Sequence, residues 1–312
     1  MKYLSTKETA ARWGVHCSLV RRYCMQERIP KAILKDGFWF IPSDAKRPPR
    51  SNGHEEAVDF LPPLARKLIH QKSKKNYHGL YDYTVVNLTY CSCRMASNRL
   101  TREQVESIFR KNKVAVSFEP MKVSDVVEVL NHIICADRIL ERIDEPLSLK
   151  FIRSLHQELT FGTVDERKNK VTPGQFRTKS SYRTEAFASP ADSINGELRN
   201  LIREYEGRVE INLYAILDFH VRFERIFPFD DCNGRIGRLI AFKECLRHGV
   251  MPFIIDDKRR GRYLQGIQNW EHNPDVLTHV AREAQNRFES QVETQRLLAH
   301  GQNFLPANYK ED

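Results

Sequence analysis

The chain has 312 residues and a formal net charge of +10, with 41% hydrophobic and 29% charged residues. This composition is typical of a globular protein, and no stretch approaches the ~20 apolar residues of a membrane span. The first residues lack the apolar segment of a secretory signal, and seven cysteines without framework spacing favour a reducing compartment. We therefore expect a cytoplasmic protein with no membrane partner.

The positive charge is concentrated at the amino terminus. Residues 1–50 hold 11 Lys and Arg against 4 Asp and Glu, a net charge of +7 out of the +10 of the whole chain. Such a concentration in a small segment indicates a polyanion as partner.

The same segment has a readable order of elements. Ser5 and Glu8 fit a helix-capping box, Gly14-Val15 makes a turn, and a second helix starts at Ser18. Residues 32–41 predict a small hairpin around Asp36-Gly37. This order resembles the winged helix-turn-helix domain of the MerR or excisionase type. The resemblance implies DNA binding, often as a dimer, through five residues: Ser18, Arg21, Arg22, Arg28 and Lys31. The alternative is a basic domain that binds protein or anchors the fold.

The rest of the chain reads as helical. We place a module at 1–45, a Pro-containing linker at 46–60, a helical segment at 61–110, a core at 111–300 and a tail at 301–312. Leu61-Pro62-Pro63 predicts a helix start with Pro in its first turn. Apolar residues at helical spacing predict further helices over 126–139, 149–159, 194–205, 211–223, 239–246 and 276–288.

One loop carries the candidate chemistry. Asn233-Gly234 is a turn signal followed by an apolar helical stretch, and a helix N-terminus is an anion site. Arg235 and Arg238 lie three residues apart and add donors for phosphate oxygens, while Asp231 is a ligand suited to Mg²⁺. The plainer alternative is a helix N-terminus with solvated arginines.

The run from Ile226 to Arg238 resembles the phosphate-binding loop of the Fic (Fido) family, HPFx(D/E)GNGRxxR. Neighbouring stretches extend the resemblance over about residues 80–290: 129–132, 154–159, 174–177, 218–226 and 237–246. It implies a mainly α fold: an all-α Fic core with a β-hairpin flap at Gly174–Arg177, plus the small winged helix-turn-helix domain.

The family typically transfers AMP from ATP to a hydroxyl of a target protein, so ATP and Mg²⁺ are the implied cofactors. By position, Asp231 would hold the metal. The phosphates would be bound by Asn233, Gly234, Arg235 and Arg238. The position of the catalytic histidine holds Phe227, which cannot accept a proton. General base catalysis contributes about 10² to 10⁴-fold, so we expect activity to fall at least that far.

Two other residues are candidates to replace the function of the missing base. Cys232 stands where the family has a glycine, and a thiolate near Arg235 would be a nucleophile. His220 lies about two helical turns before Phe227, and its plainer interpretation is a hydrogen-bonded structural histidine.

Residues 89–101 resemble the inhibitory helix of the family, SNxIEGN. Ser92 and Asn98 fit this pattern, but Ala96 replaces the inhibitory glutamate. The chain is therefore expected to lack this restraint as well as the catalytic base.

Three functions follow. The first is a catalytically impaired, nucleotide-binding regulator associated with DNA. The second is an active protein adenylyltransferase, or another nucleotidyl or phosphoryl transferase, with an altered mechanism. The third is a pseudoenzyme partner of an active Fic protein.

Overall fold

The protein is represented by a computed structural model that describes residues 3–15, 17–25, 28–35, 38–48, 61–74, 78–114, 121–178 and 188–301. Two groups of elements follow each other along the chain. The first is a small α/β module, and the second is an assembly of helices.

The amino-terminal module combines two helices with a small antiparallel sheet. Its elements are β1 (Tyr3–Ser5), α1 (Thr6–Trp13), α2 (Cys17–Met25), β2 (Ile33–Lys35) and β3 (Phe38–Pro42). The strand order is β1-β3-β2, so β3 is central. The predicted helix–turn–helix and hairpin order is present, while β1 and its pairing with β3 were not predicted.

Local signals set the start and end of α1. The Ser5 hydroxyl accepts from the Glu8 N–H at 3.2 Å, and the Glu8 carboxylate accepts from the Ser5 N–H at 2.8 Å. Gly14 ends the helix at a φ of +63°, a conformation that glycine adopts without steric cost. Both features confirm the capping box and the turn predicted from the sequence.

The module has a hydrophobic cluster of its own. Ala10, Val20, Tyr23, Ile29 and Ile41 are among its buried residues. Because α1, α2 and the sheet all contribute side chains to this cluster, packing fixes the angle between the two helices.

The helical assembly supplies the remaining elements. They are α3 (Pro63–Ser73), α4 (Leu80–Met95), α5 (Arg102–Lys111), α6 (Val123–Glu141), α7 (Leu149–Thr160), α8 (Val164–Arg167), α9 (Ile194–Glu206), α10 (Leu213–Ile226), α11 (Asn233–His248), a 3₁₀ turn (Asp257–Arg259), α12 (Arg260–Gln268) and α13 (Asp275–Gly301). The apolar periodicity therefore predicted α6, α7, α9, α10, α11 and α13 correctly, and proline stands in the first turn of α3.

The stretch that resembles an inhibitory helix is helical only in part. α4 ends at Met95, and Ser97 has a φ of +71°, which a continuing helix excludes. The Asn98 side chain then accepts from the Leu100 N–H at 3.1 Å, and Thr101 caps α5. The prediction of a helix over 89–101 is thus wrong for residues 96–101, because local side-chain bonds compete with the helix there.

α11 lies at the centre of the assembly. Its Ile236, Leu239, Ile240 and Leu246 are buried with side chains of α4, α6, α7 and α10. Even Lys243 is fully buried, and its Nζ donates to the Glu145 carbonyl at 2.6 Å and to the Glu244 carboxylate at 2.8 Å. A helix surrounded on all sides gives the loop at its N-terminus a rigid base.

Three predictions fall partly or wholly outside the described residues. Residues 171–178 form turns and extended chain without a strand, and the rest of the expected flap is not described. Most of the linker at 46–60 and most of the tail at 301–312 also lie outside the described residues. Within the described part of the chain, no helix is both long enough and apolar enough to span a bilayer.

Candidate functional site

The candidate site is the turn between α10 and α11. Phe227 ends α10 in the left-handed conformation, with φ of +49°, and its N–H donates to the Phe223 carbonyl at 3.2 Å. Its ring is half-buried. The side chain at this position thus leaves the helix where the loop begins, next to the N-terminus of α11.

Phe229 and Asn233 lock the loop into one shape. The Phe229 N–H donates to Asn233 Oδ1 at 2.9 Å, and Asn233 Nδ2 donates back to the Phe229 carbonyl at 2.8 Å. Phe229 is fully buried and its ring stacks on His156 at 3.9 Å. The side-chain amide of Asn233 is therefore used to shape the loop.

Arg177 holds the same loop from the other side. Its backbone N–H donates to the Pro228 carbonyl at 2.9 Å, and its Nε donates to the Phe227 carbonyl at 2.7 Å. A further donor reaches the carbonyl of Ser189. Arg177 is only 3% exposed. Its hydrogen bonds connect the base of the expected flap to the loop.

Arg235 lies buried between two carboxylates. Its Nη1 donates to Glu128 Oε2 at 3.0 Å, and its Nη2 donates to Asp231 Oδ2 at 3.0 Å. The residue is 6% exposed. Its guanidinium is thus directed at Glu128 and Asp231, so it pins α11 to α6 as well as carrying charge near the loop.

Burial dominates the ionisation of Glu128. It raises the pKa of this carboxyl group, and the neighbouring Arg235 and the Asn98 amide only partly offset the effect. The Arg235–Glu128 pair therefore orients the two side chains more than it adds net stability.

Asp231 is the candidate metal ligand and is about half exposed. One of its oxygens accepts from Arg235, and the Cys232 thiol lies 3.5 Å from the same oxygen. Among the described residues, no group of three or more His, Cys, Asp and Glu is arranged to hold a metal by itself. Mg²⁺ usually takes one or two carboxylates plus substrate phosphates, and an exposed Asp231 fits that arrangement.

Arg238 connects α11 to α4. Its Nε donates to the Ser92 hydroxyl at 3.1 Å, and its Nη2 donates to the Ser92 carbonyl at 3.0 Å. A Cβ placed on Gly234 would lie 3.0 Å from Nη1 of Arg238. A side chain at position 234 would therefore crowd this guanidinium.

Cys232 is the cap of α11, and its side chain makes no capping hydrogen bond to the first turn. Its φ of +68° is strained for a residue with a Cβ. Burial raises the pKa of its thiol well above the ordinary value, despite the nearby Arg235. The thiol is therefore neutral, which disfavours the thiolate nucleophile considered from the sequence.

His220 is a structural residue of α10. It is 1% exposed, and its Nε2 lies 2.6 Å from the Tyr263 hydroxyl and 3.3 Å from a carboxylate oxygen of Glu224. Burial lowers its pKa. A neutral, enclosed imidazole with these partners matches the plainer of the two interpretations.

Two more buried histidines lie near the loop, and sequence reasoning gave them no role. His156 Nδ1 accepts from the Gly174 N–H at 2.9 Å, and burial lowers its pKa to about 4. His132 Nδ1 lies 3.0 Å from the Thr89 hydroxyl, and burial, with Arg238 and Arg235 adding to it, lowers its pKa to about 3. Because the Gly174 N–H donates to Nδ1 of His156, the proton of that neutral ring sits on Nε2.

The residues of the stretch that resembles an inhibitory helix have separate roles. Ser92 contacts Arg238, as described above. Asn98 Nδ2 donates to the Asp125 carbonyl at 2.9 Å and lies 3.4 Å from Glu128. Ala96 is exposed at the end of α4 and supplies no polar group to the loop.

The candidate DNA-binding residues lie on α2 and in the chain that follows it. Arg21 Nη1 donates to the Arg208 carbonyl at 2.7 Å, and the Arg28 guanidinium lies over the Tyr23 ring. Lys31 is exposed. Ser18 and Arg22 belong to α2, but their side chains lie outside the described part of the structure.

Sequence reasoning missed Glu128 and gave Arg177 no role at the loop. Glu128 had a weak signal, since it is a carboxylate within an otherwise apolar stretch of α6. Arg177 had a signal in the Gly174–Arg177 turn, but the partner of its side chain is a backbone carbonyl, which no sequence pattern names.

Residues 146–244, which include α7, α10, the loop and most of α11, match the model of the Fic/DOC family. A Fic domain containing signaling protein from Bacteroides thetaiotaomicron is 17% identical; the match covers 79% of this chain and 94% of that chain, with a TM-score of 0.59.

Two further solved structures are similar. A Fic family protein from Desulfovibrio desulfuricans is 20% identical over 78% of this chain and 77% of its own, with a TM-score of 0.50. Fic-1 from C. elegans is 16% identical over 79% of each chain, with a TM-score of 0.56. A comparison with curated protein sequences gives no match. At these identities the likeness establishes the fold, and the mainly helical Fic fold predicted from the sequence is confirmed.

Proposed function

We propose that this Fic-fold chain is a DNA-associated regulator that binds a nucleotide at the α11 loop and does not transfer AMP efficiently. The carrying observation is Phe227, which stands where the family has its catalytic histidine. Transfer of AMP to a hydroxyl requires a group that takes the hydroxyl proton. A phenyl ring has no lone pair for that proton.

The surrounding side chains support the loss of activity. His220 and His156 are buried, neutral and hydrogen-bonded, and the Cys232 thiol is neutral. None of these three groups is an exposed base, because both imidazoles are enclosed with lowered pKa values and the pKa of the thiol is raised. Positioning and electrostatic stabilisation of phosphates would then leave at most a residual rate.

Nucleotide binding is supported by the start of α11. The helix N-terminus presents backbone N–H groups without a side-chain cap, and the positive end of the helix dipole favours an anion there. Arg238 lies beside Gly234 at this end, and Asp231 is exposed for a nucleotide-borne Mg²⁺. When bound, Mg²⁺ would neutralise phosphate charge, while Arg238 and the N–H groups orient the phosphates.

Transfer of labelled AMP to host proteins tests this proposal. We expect no label with the native chain and label with Phe227→His, since imidazole restores the base. Phe227→Asn is the matched control, because it is polar but cannot take the proton at neutral pH.

The outcomes separate the alternatives. Label with the native chain would contradict the proposal and favour an active transferase. Label with neither variant, together with no ATP binding by calorimetry, would refute the nucleotide part. Retained label in Phe227→His combined with Arg238→Ala would place the phosphate site elsewhere.

A further inference from the structure

Helix α3 lies in a stretch of the chain that carries only positive charge. Residues 61–81 hold five Lys and Arg and no Asp or Glu. Since residues 1–50 carry +7 of the total of +10, all the residues after position 50 together have a net charge of +3. The positive charge outside the module is therefore concentrated in this one stretch.

The charged side chains of α3 share one face of the helix. Arg66, His70 and Lys74 stand four residues apart, so they form a row about 12 Å long. All three are exposed, and Lys67 lies beside the row. We call these four residues the basic face. On the other side of α3, Leu68 is fully buried in the core of the assembly.

The cations of the basic face have no carboxylate partners. Lys72, which is outside this face, pairs with two carboxylates of α6. In the part of the chain that the structure describes, Arg66, Lys67 and Lys74 form no ion pair. Neighbouring like charges repel one another, and an anion along the row would remove that repulsion.

Helix α3 begins close to the place where the module meets the helical assembly. Arg21 of α2 donates to the carbonyl of Arg208, which follows α9. Glu206, the last residue of α9, accepts from the last turn of α11 at 2.7 Å. After α11, a Cβ built on Gly249 would lie 3.5 Å from Pro62, the residue before α3. These contacts in series place the start of α3 near α2 of the module.

We propose that the basic face of α3 binds the phosphate backbone of the DNA that flanks the site of the module. This inference rests on the DNA binding in the proposed function. A duplex bound through α2 would pass the helical assembly where α3 begins. Because phosphate contacts carry no sequence information, α3 would add affinity and orientation and leave the choice of sequence to the module.

The spacing of the basic face suits a nucleic acid backbone. Duplex DNA carries one negative charge per about 1.7 Å of its axis, so a row of about 12 Å meets several phosphates. An anionic membrane is a poorer partner, because a helix that lies on a bilayer inserts its apolar side. In α3 that side is occupied by the core, since Ala65 and Leu68 are fully buried.

The salt dependence of DNA binding tests the inference. The triple change Arg66→Gln, Lys67→Gln and Lys74→Gln removes three charges and keeps residues that favour a helix. Each lost phosphate contact reduces the slope of log K against log salt by about 0.9, so we expect a reduction of about 2 to 3. Fluorescence anisotropy with a duplex of about three helical turns, roughly 30 base pairs, measures this slope.

A matched control removes the same charge elsewhere on the helical assembly. Lys150→Gln, Lys168→Gln and Lys258→Gln change three exposed lysines that lie outside α3. This control should keep the native slope. Equal reductions in the two triple variants would show that only the net charge matters and would overturn the inference. Circular dichroism of both variants checks that the chain is folded.

Cross-linking locates the DNA without removing any of the three charges. A photoreactive benzoylphenylalanine at position 70 should give a protein–DNA product, and the same group at position 150 should not. Cross-links from position 70 to residues 49–60 of the same chain, in place of the DNA, would show that the linker covers the basic face and would overturn the inference.

The outcomes separate this inference from the proposed function. If the native chain binds the duplex and the α3 variant keeps the native slope, the inference fails while DNA binding stands. If the native chain binds no duplex at low salt, both fail. Binding of the native chain, but not of the α3 variant, to phosphatidylserine vesicles, with an unchanged DNA slope, would assign the basic face to a membrane and refute the inference.

Discussion

At the residue scale, Phe227 and Cys232 lie at the two ends of the loop and share one backbone feature. Both have a positive φ, +49° and +68° respectively. A residue with a Cβ pays about 1–2 kcal/mol for that conformation. Hydrogen bonds of Asn233, Phe229 and Arg177 hold the loop in this shape despite that cost.

A single buried histidine gives a prediction about pH. The pKa of His156 falls from its ordinary value of 6.5 to about 4 on burial. Because this pKa is lower in the folded chain, the free energy of unfolding has its full value above pH 6.5. It decreases as the pH falls towards 4, since the unfolded chain then binds the proton and the folded chain does not. The loss from this residue should reach about 3 kcal/mol by pH 4.

The His156→Asn variant isolates this effect, because its amide oxygen can accept from the Gly174 N–H and does not titrate. Urea unfolding at a series of pH values should show a shallower slope between pH 6.5 and 4 than in the native chain. His279→Asn, at a residue whose side chain is 62% exposed, is the control and should keep the native slope. An unchanged slope in His156→Asn would show that His156 ionises normally.

At the element scale, the N-terminus of α11 is placed by helices that are distant in sequence. α6 contributes Glu128, which pairs with Arg235, and α4 contributes Ser92, which binds Arg238. α7 contributes His156, whose ring stacks on the ring of Phe229. The loop is thus held by three helices that are distant from it in sequence.

The pair between α6 and α11 gives a prediction about stability. Glu128→Ala should lower the free energy of unfolding by about 2 kcal/mol, because it leaves the buried Arg235 with only Asp231 as partner. Glu204→Ala breaks the exposed pair with Arg222 and should cost about 0.5 kcal/mol or less. Urea denaturation of both variants measures the difference, and equal losses would show that burial of the Arg235 pair has no energetic consequence.

At the scale of the whole molecule, the described residues form one hydrophobic cluster in the amino-terminal module and two in the helical assembly. The buried residues of the module cluster run from 10 to 41, and those of the two clusters in the helical assembly run from 65 to 288. The segment 1–50 carries +7 of the net charge of +10. This separation suits a protein in which one part binds a polyanion and the other carries the nucleotide loop.

The proposed division of labour predicts salt-dependent DNA binding. If Arg21 and Arg22 contact phosphates, changing both to Ala should weaken binding and reduce the slope of log K against log salt by about 2. Lys7→Ala removes a charge from α1 and should leave the slope nearly unchanged. Arg22→Ala should be measured alone as well, since Arg21 also donates to the Arg208 carbonyl. An unaltered slope in the double variant would remove α2 from the DNA interface.

The sequence was sufficient for features that depend on local chemistry. Capping residues and apolar periodicity predicted the starts and faces of the main helices, and the motif around Asn233 and Gly234 located the loop. It failed at residues 96–101, where the left-handed Ser97 and the side chain of Asn98 end the helix. The pattern of a family helix could not reveal that competition.

The sequence by itself determined the mainly helical Fic fold, the position of the loop and the absence of a titratable group at residue 227, because each is written in residue type and spacing. Only the tertiary structure decided that Arg235 is directed at Glu128, that Asn233 shapes the loop and that the three histidines are buried and neutral. Those outcomes depend on which side chains meet across distant helices and on how much water the packing excludes, and neither is set by neighbours along the chain.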